Sequence, residues 1–137
     1  MIGIQLVTHG KLGHGLADAL QMIVGDVPQF AYCQLKSEQS IADYRQAVLI
    51  QTQSLEEGQG VLVFADLLGG TPYNTACFNS RHFSTTKYQI ITGVNLSLLI
   101  SAVLKREEAT LTELVQELMQ PTEWGIELSP FGQLTTP

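Results

Sequence analysis

The stretch that decides the fold, residues 2–10, reads IGIQLVTHG. A continuous apolar run that ends at a turn signal is typical of a strand buried on both faces, as in a parallel sheet. His9 then lies at the carboxyl end of that strand, which is the edge where open α/β sheets bind their ligands. A lone histidine is more often a loop residue without a role, so His9 alone does not define a site.

A second stretch, residues 61–72, is built in the same way and reads VLVFADLLGGTP. An apolar strand again runs directly into a titratable residue, Asp66, and then into two glycines. Right-handed crossovers bring every strand-to-helix loop of a parallel sheet to one edge. We therefore expect His9 and Asp66 to share one site.

Composition sets the broad class of the protein. With 137 residues, 45% hydrophobic and 15% charged, the chain is expected to be one domain with a full core. A net charge of -6 and a pI near 4.8 argue against nucleic acid and favour a neutral or basic protein partner. No apolar run approaches the roughly 20 residues of a membrane helix. A signal peptide is not expected, since the first strand is needed in the core, so the sequence predicts a cytoplasmic protein.

The two cysteines, Cys33 and Cys77, do not have the spacing of a metal site. They are expected to be buried thiols in a reducing compartment.

Strands and helices alternate along the chain, which predicts an α/β fold with a mainly parallel sheet. Ser40 and Asn95 are candidate helix N-caps, and Thr71 is a third, with Pro72 at the first helical position. The last helix is expected to start after Thr110 or Thr112. The expected strands are 2–9, 30–35, 61–65, 88–92 and a last short one over 124–128; the expected helices are 13–24, 41–55, 72–80, one following residue 95, and one containing residues 114–119.

The residue types at the shared edge suggest a nucleophilic histidine. A carboxylate that accepts a hydrogen bond from one ring nitrogen fixes the tautomer, so Asp66 would leave the other nitrogen of His9 unprotonated. We expect Nδ1 to face Asp66 and Nε2 to be the nucleophile. Asp66 could equally be an ordinary turn or N-cap aspartate. Gly69 and Gly70 let the backbone approach an anion closely, and Thr71 and Pro72 begin a helix whose N-terminus favours negative charge. Together these residues predict a cradle of phosphate size.

Several other site types are not expected. No Walker-type lysine or dinucleotide fingerprint follows either strand, so neither ATP nor NAD is predicted. His9, His14 and Asp66 lack the supporting residues of a metal site, and no metal or other cofactor is expected. His14 is expected at the rim of the site, and His82 in a solvent-exposed connection.

Three motifs together resemble the mannose-family enzyme IIA of the bacterial sugar phosphotransferase system. They are Thr8-His9-Gly10 after the first strand, residues 66–76 (DLLGGTPYNTA), and residues 93–96 (GVNL). The resemblance runs from Met1 to about Leu128, and the stretch from Asp66 to Ala76 is its most specific part.

The resemblance implies a phosphoryl carrier. His9 would accept a phosphoryl group from the histidine-containing phosphocarrier protein HPr and pass it to enzyme IIB, which phosphorylates the incoming sugar. Asp66 would orient the histidine, while Gly70 and Thr71 would help to hold the phosphoryl group. The protein would meet the membrane only indirectly, through the permease complex.

The resemblance also implies a doubly wound, mainly parallel sheet with helices on both faces. Family members form homodimers that exchange a C-terminal strand, and residues 124–128 match that strand in position. The family domain would cover residues 1–130, and residues 131–137 would form a loose tail.

Two departures from the family pattern matter. Ser97 and Leu98 stand where the family usually has a Pro-Met pair, which affects the rim of the site. The sequence also lacks a fused IIB domain, so a free-standing subunit is expected.

Three alternatives share parts of this pattern. The phosphotransfer subunit of dihydroxyacetone kinase has the same fold, but its histidine is typically followed by serine rather than by Gly10. A phosphohistidine hydrolase of the phosphoglycerate-mutase type would have arginine where this chain has Thr8. A regulatory or binding module of the same fold, without sugar flux, stays open. The sequence does not identify a sugar.

Overall fold

A computed structural model shows an α/β domain, and it describes residues 1–120 and 124–132. The strands are β1 (Gly3–His9), β2 (Phe30–Leu35), β3 (Val61–Ala65) and β4 (Tyr88–Thr92). The helices are α1 (Leu12–Val24), α2 (Ile41–Leu55), α3 (Thr71–Asn79), α4 (Leu96–Lys105) and α5 (Leu111–Leu118). These bounds confirm the predicted alternation of strands and helices. No helix in the described part of the chain is long and apolar enough to cross a membrane.

The four strands form one parallel sheet in the order β2-β1-β3-β4. The chain moves outward in one direction from β1 to β2 and in the other direction from β3 to β4. The carboxyl ends of β1 and β3 therefore form the topological switch point, where open α/β sheets have a crevice. Val7 pairs with Ala65, so His9 and Asp66 leave the sheet side by side at this point.

The sheet is covered on both faces because its central strands are mostly apolar where they meet the helices. The polar exception that faces α2 is Gln5, whose buried amide donates to the carbonyl of Val48 and accepts from the hydroxyl of Thr52. On one face, Ile4, Leu6, Leu62 and Phe64 pack with residues of α1, α4 and α5. On the other face, Val7, Val61, Val63 and Ala65 pack with residues of α2 and α3. Both faces of β1 and β3 are thus dry, and their polar site residues begin only where the strands end.

Helix caps confirm two sequence predictions and correct a third. Ser40 and Asn95 accept hydrogen bonds from backbone N–H groups in the first turns of α2 and α4. The alternative start of α5 is resolved in favour of Thr110, which forms a reciprocal capping box with Glu113. The N-cap of α3 is Gly70 rather than Thr71, which is already the first helical residue.

One charged side chain lies within the core at the edge opposite the site. Arg106 follows α4, is 3% exposed, and donates hydrogen bonds to the carbonyl oxygens of Ile2, Pro28 and Gln29. Burial lowers the pKa of its guanidinium. The side chain thus ties the beginnings of β1 and β2 to the end of α4.

The C-terminal segment does not follow the prediction. Trp124 and Gly125 form a turn and residues 126–129 have no regular structure, so the strand expected over 124–128 is wrong for the single chain. A strand exists only when a neighbouring strand pairs with its backbone groups. Within the described residues this segment is held by a side chain, because the indole N–H of Trp124 donates to the carbonyl of Leu118, at 2.7 Å. Pro130–Gly132 forms a short 3₁₀ turn. The rest of the predicted tail, 133–137, lies outside the described residues.

The cysteines are free, as expected, but each is only partly buried. Burial raises the pKa of the Cys33 thiol, which opposes formation of the thiolate.

Candidate functional site

His9 and Asp66 meet at the switch point, as the sequence predicted. A single carboxylate oxygen, Oδ2 of Asp66, accepts two hydrogen bonds from His9. The backbone N–H donates one at 2.8 Å and the ring Nδ1 lies at 2.9 Å. Because an ionised carboxylate can only accept, this contact places the ring proton on Nδ1. The lone pair of the neutral imidazole is then on Nε2.

The two side chains differ sharply in exposure. The side chain of His9 is 48% exposed, whereas that of Asp66 is 9% exposed. Asp66 Oδ1 is buried and has no hydrogen-bond partner among the described residues. The carboxylate therefore directs its hydrogen bonding to His9 alone, and the imidazole projects from the sheet edge into solvent.

Tyr44 lies beneath this pair, in the core between the sheet and α2. Burial raises the pKa of its phenol, and the charges of Cys33 and Asp66 raise it further. The phenol therefore stays protonated and donates its hydrogen bond to the carbonyl of Cys33, at 2.8 Å. Asp66 thus has an uncharged phenol as its buried neighbour, and the side chain that contacts its carboxylate is the imidazole of His9.

Gly70 lies directly against the imidazole. A Cβ atom at this position would be 2.9 Å from Cε1 and 3.5 Å from Nε2 of His9. The sequence predicted Gly70 as a residue that lets the backbone approach an anion. The structure adds a second requirement that sequence reasoning missed, because any side chain here would displace the ring from Asp66.

The N-terminus of α3 supplies free backbone donors next to the ring. The first helical hydrogen bond runs from Asn74 N–H to the carbonyl of Gly70, at 2.9 Å. The N–H groups of Thr71 and Tyr73 precede that bond, and Pro72 has no N–H. A helix N-terminus of this kind favours an anion.

The loop between β1 and α1 is fixed by Thr8. Its buried hydroxyl accepts a hydrogen bond from the N–H of Gly13, at 2.9 Å. A Cβ at Gly13 would be 3.0 Å from that hydroxyl and 3.1 Å from Cβ of Tyr32, so the absence of a side chain allows this close approach. The position of His9 is therefore set from both sides, by Thr8 and by Asp66.

The loop after β4 reaches the same edge. The N–H of Val94 donates to the carbonyl of Ala65, at 3.2 Å, which joins this loop to the end of β3. Ser97, which replaces the usual proline, packs on the C-terminal segment: a Cβ at Gly125 would be 2.8 Å from its hydroxyl.

The other two histidines stand apart from this arrangement. His14 is exposed, and its Nδ1 forms a hydrogen bond with the hydroxyl of Tyr32, at 2.8 Å. His82 is exposed in a 3₁₀ turn after α3, as predicted. Over 1–120 and 124–132, no group of three or more His, Cys, Asp or Glu side chains is arranged to hold a metal ion.

Two apolar side chains at the site were not singled out from the sequence. Leu67 and Leu68, which follow Asp66, are 59% and 69% exposed. The sequence did contain a signal, because a loop between a strand and a Gly-Gly pair is usually polar and this one has two leucines. Exposed leucines beside a reactive group are typical of a surface that contacts another protein.

The comparisons with known proteins identify the family of the chain. The family model described as "PTS system fructose IIA component" matches residues 3–119. The mannose-specific EIIAB component of Escherichia coli (strain K12) is 24% identical over 110 residues, or 78% of this chain and 32% of that protein. The chain therefore spans about a third of the length of that relative.

Two solved structures are also similar. The phosphotransferase system component EIIA from Streptococcus agalactiae is 31% identical, with a TM-score of 0.78 over 86% of this chain and 89% of that one. The mannose/sorbose specific IIA subunit from Enterococcus faecalis is 25% identical, with a TM-score of 0.82 over 98% of each chain. Since the family model extends from β1 through α5, the chain belongs to the fructose- and mannose-type IIA family of the phosphotransferase system.

Proposed function

We propose that this protein is a phosphoryl carrier of a sugar phosphotransferase system. His9 accepts the phosphoryl group from HPr and passes it to enzyme IIB, for sugar uptake through a membrane permease. The observation that carries the proposal is a half-exposed imidazole, that of His9, whose Nδ1 is held by a largely buried carboxylate. The carrier domain covers residues 1–130 and works in the cytoplasm.

The transfer itself needs no cofactor. The Nε2 lone pair of His9 forms the new P–N bond as the bond from phosphorus to the donor nitrogen breaks, and the donor nitrogen keeps that electron pair. The ring of His9 then carries a positive charge, because Nδ1 keeps its proton. Asp66 stabilises this charge at 2.9 Å. Positioning and electrostatic stabilisation are the main requirements of phosphoryl transfer.

The N-terminus of α3 holds the transferred group. Gly70 leaves room beside Cε1 and Nε2, and the free N–H of Thr71 opens the helix next to it. Phosphoryl oxygens bound to Nε2 would therefore meet backbone donors and the positive end of the helix dipole.

A carrier has to present its histidine to two protein surfaces in turn. The half-exposed ring of His9 and the exposed side chains of Leu67 and Leu68 suit this task, because an enclosed pocket would exclude a second protein. The net charge of -6 favours a basic donor surface.

The functional unit is a homodimer in which each chain donates its C-terminal strand, residues 124–128, to its partner. Support comes from β4, which is an edge strand of the four-stranded sheet and has no strand on its outer side within the described residues. An open edge of this kind exposes unpaired backbone groups that a strand from another chain satisfies.

The first prediction concerns the acceptor atom. Incubation with phosphoenolpyruvate, enzyme I and HPr is expected to add one acid-labile phosphoryl group, detected by intact mass. His9→Ala is expected to abolish the gain and His14→Ala to preserve it. Phosphorus-coupled NMR should locate the bond at Nε2. Lack of phosphorylation in the wild type would favour a regulatory module of this fold, and attachment at Nδ1 would refute the proposed geometry.

The second prediction separates the charge of Asp66 from its hydrogen bonds. One oxygen accepts both bonds from His9, so the amide oxygen of Asp66→Asn can take its place with the geometry retained. Transfer from HPr is expected to slow on the order of ten- to a hundredfold, as for other carboxylates that orient a histidine. Thermal unfolding should change little. A transfer rate equal to that of the wild type would remove the carboxylate charge from the mechanism.

The third prediction tests the space beside the ring. Gly70→Ala places a methyl group 2.9 Å from Cε1 of His9, which pushes the imidazole away from Asp66. Phosphorylation by HPr is expected to slow on the order of tenfold or more, since small misplacements of reacting groups are costly. Gly15→Ala is the matched control, because a Cβ at Gly15 meets no atom within 4 Å. Equal rates in the two variants would contradict the steric role of Gly70.

The fourth prediction concerns assembly. Sedimentation equilibrium is expected to show a dimer, and truncation after Gln120 is expected to give a folded monomer because it removes the exchanged strand. Trp124 is the chain's single tryptophan, so its fluorescence should change as the dimer dissociates on dilution. A monomer at every concentration would refute the exchange.

A further inference from the structure

A cluster of three side chains on the α2 and α3 surface, the Arg–Phe–Arg cluster, consists of Arg45, Phe78 and Arg81. The guanidinium carbon of each arginine lies 4.0 Å from the centroid of the Phe78 ring. Because both carbons lie 4.0 Å from the same centroid, they are at most about 8 Å apart. The cluster lies at the end of α3 away from His9, more than two helical turns from Gly70.

Within residues 1–120 and 124–132, neither arginine forms an ion pair with a carboxylate. The sequence has 13 acidic and 7 basic residues, so acidic partners are plentiful. Over residues 1–120 and 124–132, however, the ion pairs join only His9 with Asp66 and Lys105 with Glu117. Nε of Arg45 is buried and has no hydrogen-bond partner in this part of the chain. The described part of this acidic protein thus holds two guanidinium groups over one ring without an ion pair to a carboxylate.

The cluster is also held in place before anything binds. The buried side chain of Asn79, next to Phe78, donates a hydrogen bond to the backbone carbonyl of Arg45, at 3.3 Å. This bond fixes α2 against the end of α3. The planar guanidinium groups keep their orientation by stacking on the ring, so less conformational entropy is lost when they form hydrogen bonds.

The chemistry of the exposed surface is uniform. Both guanidinium groups lie over the Phe78 ring, and this residue is 38% exposed, so ring atoms also reach the surface. The edge of an aromatic ring carries partial positive charge. Guanidinium forks and ring edge together favour carboxylate oxygens, which each planar fork can bind in a bidentate manner.

We propose that the Arg–Phe–Arg cluster is a docking site for an acidic segment of a partner protein that presents two carboxylates. A spacing of at most about 8 Å lies within reach of two glutamate side chains on neighbouring turns of a helix or on alternate residues of an extended segment. The site lies away from His9, so the partner can stay bound while the histidine exchanges its phosphoryl group. This proposal does not depend on phosphoryl transfer.

The test uses a short poly-glutamate peptide as the probe and poly-glutamine of the same length as the control. Binding to the full chain is followed by NMR shifts of the arginine side chains and by titration at low and high ionic strength. We expect the glutamate peptide to shift both arginine signals and to bind more weakly in high salt. Arg45→Gln with Arg81→Gln should weaken binding about tenfold, since each exposed charge pair contributes up to about a fivefold change.

Two further variants separate a built site from general charge. Lys87→Gln with Lys105→Gln removes the same number of charges elsewhere and should leave binding unchanged. Arg45→Lys with Arg81→Lys keeps the charge but loses the planar forks, and should bind more weakly than the wild type. His9→Ala should bind the peptide as the wild type does, which separates this test from that of the phosphoryl carrier. Equal binding by the lysine variant would overturn the proposal.

The same arginine signals distinguish other anions. Vesicles of phosphatidylglycerol and inorganic phosphate are titrated in parallel with the peptide. Shifts with the vesicles but not with the peptide would show a membrane contact and overturn the proposal. Shifts with phosphate alone would show a simple anion site and would overturn it as well.

Discussion

One oxygen atom, Oδ2 of Asp66, sets the geometry on which the candidate site depends. It accepts a hydrogen bond from the backbone of His9 and another from its ring. The first bond fixes where β1 ends, and the second fixes the tautomer and the plane of the imidazole. Both bonds need β1 and β3 to be neighbours in the sheet, with Val7 opposite Ala65. The strand order and the register are therefore preconditions of the chemistry.

The different burial of Asp66 and His9 gives the two side chains different roles. Asp66 has lost most of its contact with water, and its remaining oxygen finds no donor in the described part of the chain. A carboxylate in this situation interacts strongly with the one polar group that it faces, because little water screens the pair. His9 keeps half of its surface in solvent, so a large donor can reach Nε2. A buried histidine could not serve a protein donor, and an exposed aspartate would orient the ring only weakly.

The sequence predicted those parts of the fold that short-range patterns determine. Strands β3 and β4 and helix α2 follow from apolar runs between clear turn signals, and their predicted bounds agree with the structure. His9 and Asp66 could be paired in advance, because the ends of parallel strands meet at one edge. The cap of α3 was misassigned to Thr71, since Gly70 also takes the extended conformation that an N-cap needs and gives no side-chain signal.

Three other features could not be predicted because they depend on contacts between distant residues. The requirement for glycine at position 70 arises from the position of the His9 ring, which belongs to another strand. The conformation of residues 124–128 depends on which neighbour pairs with them, and local propensity does not specify a neighbour. The sequence does not mark Arg45, Phe78 and Arg81 as neighbours. Only the packing of α2 on α3 brings the three side chains together.

Charge links the candidate site to the rest of the surface. A phosphoryl group adds negative charge to a chain that already has a net charge of -6, so the folded protein has to stabilise that charge locally. In the proposed carrier, the ring of His9 and the first turn of α3 would provide this stabilisation. Arg106 is buried at the opposite edge of the sheet, and Lys105 is paired with Glu117. Within residues 1–120 and 124–132, Arg45 and Arg81 form no ion pair and lie over one ring, away from the site where the phosphoryl group would reside.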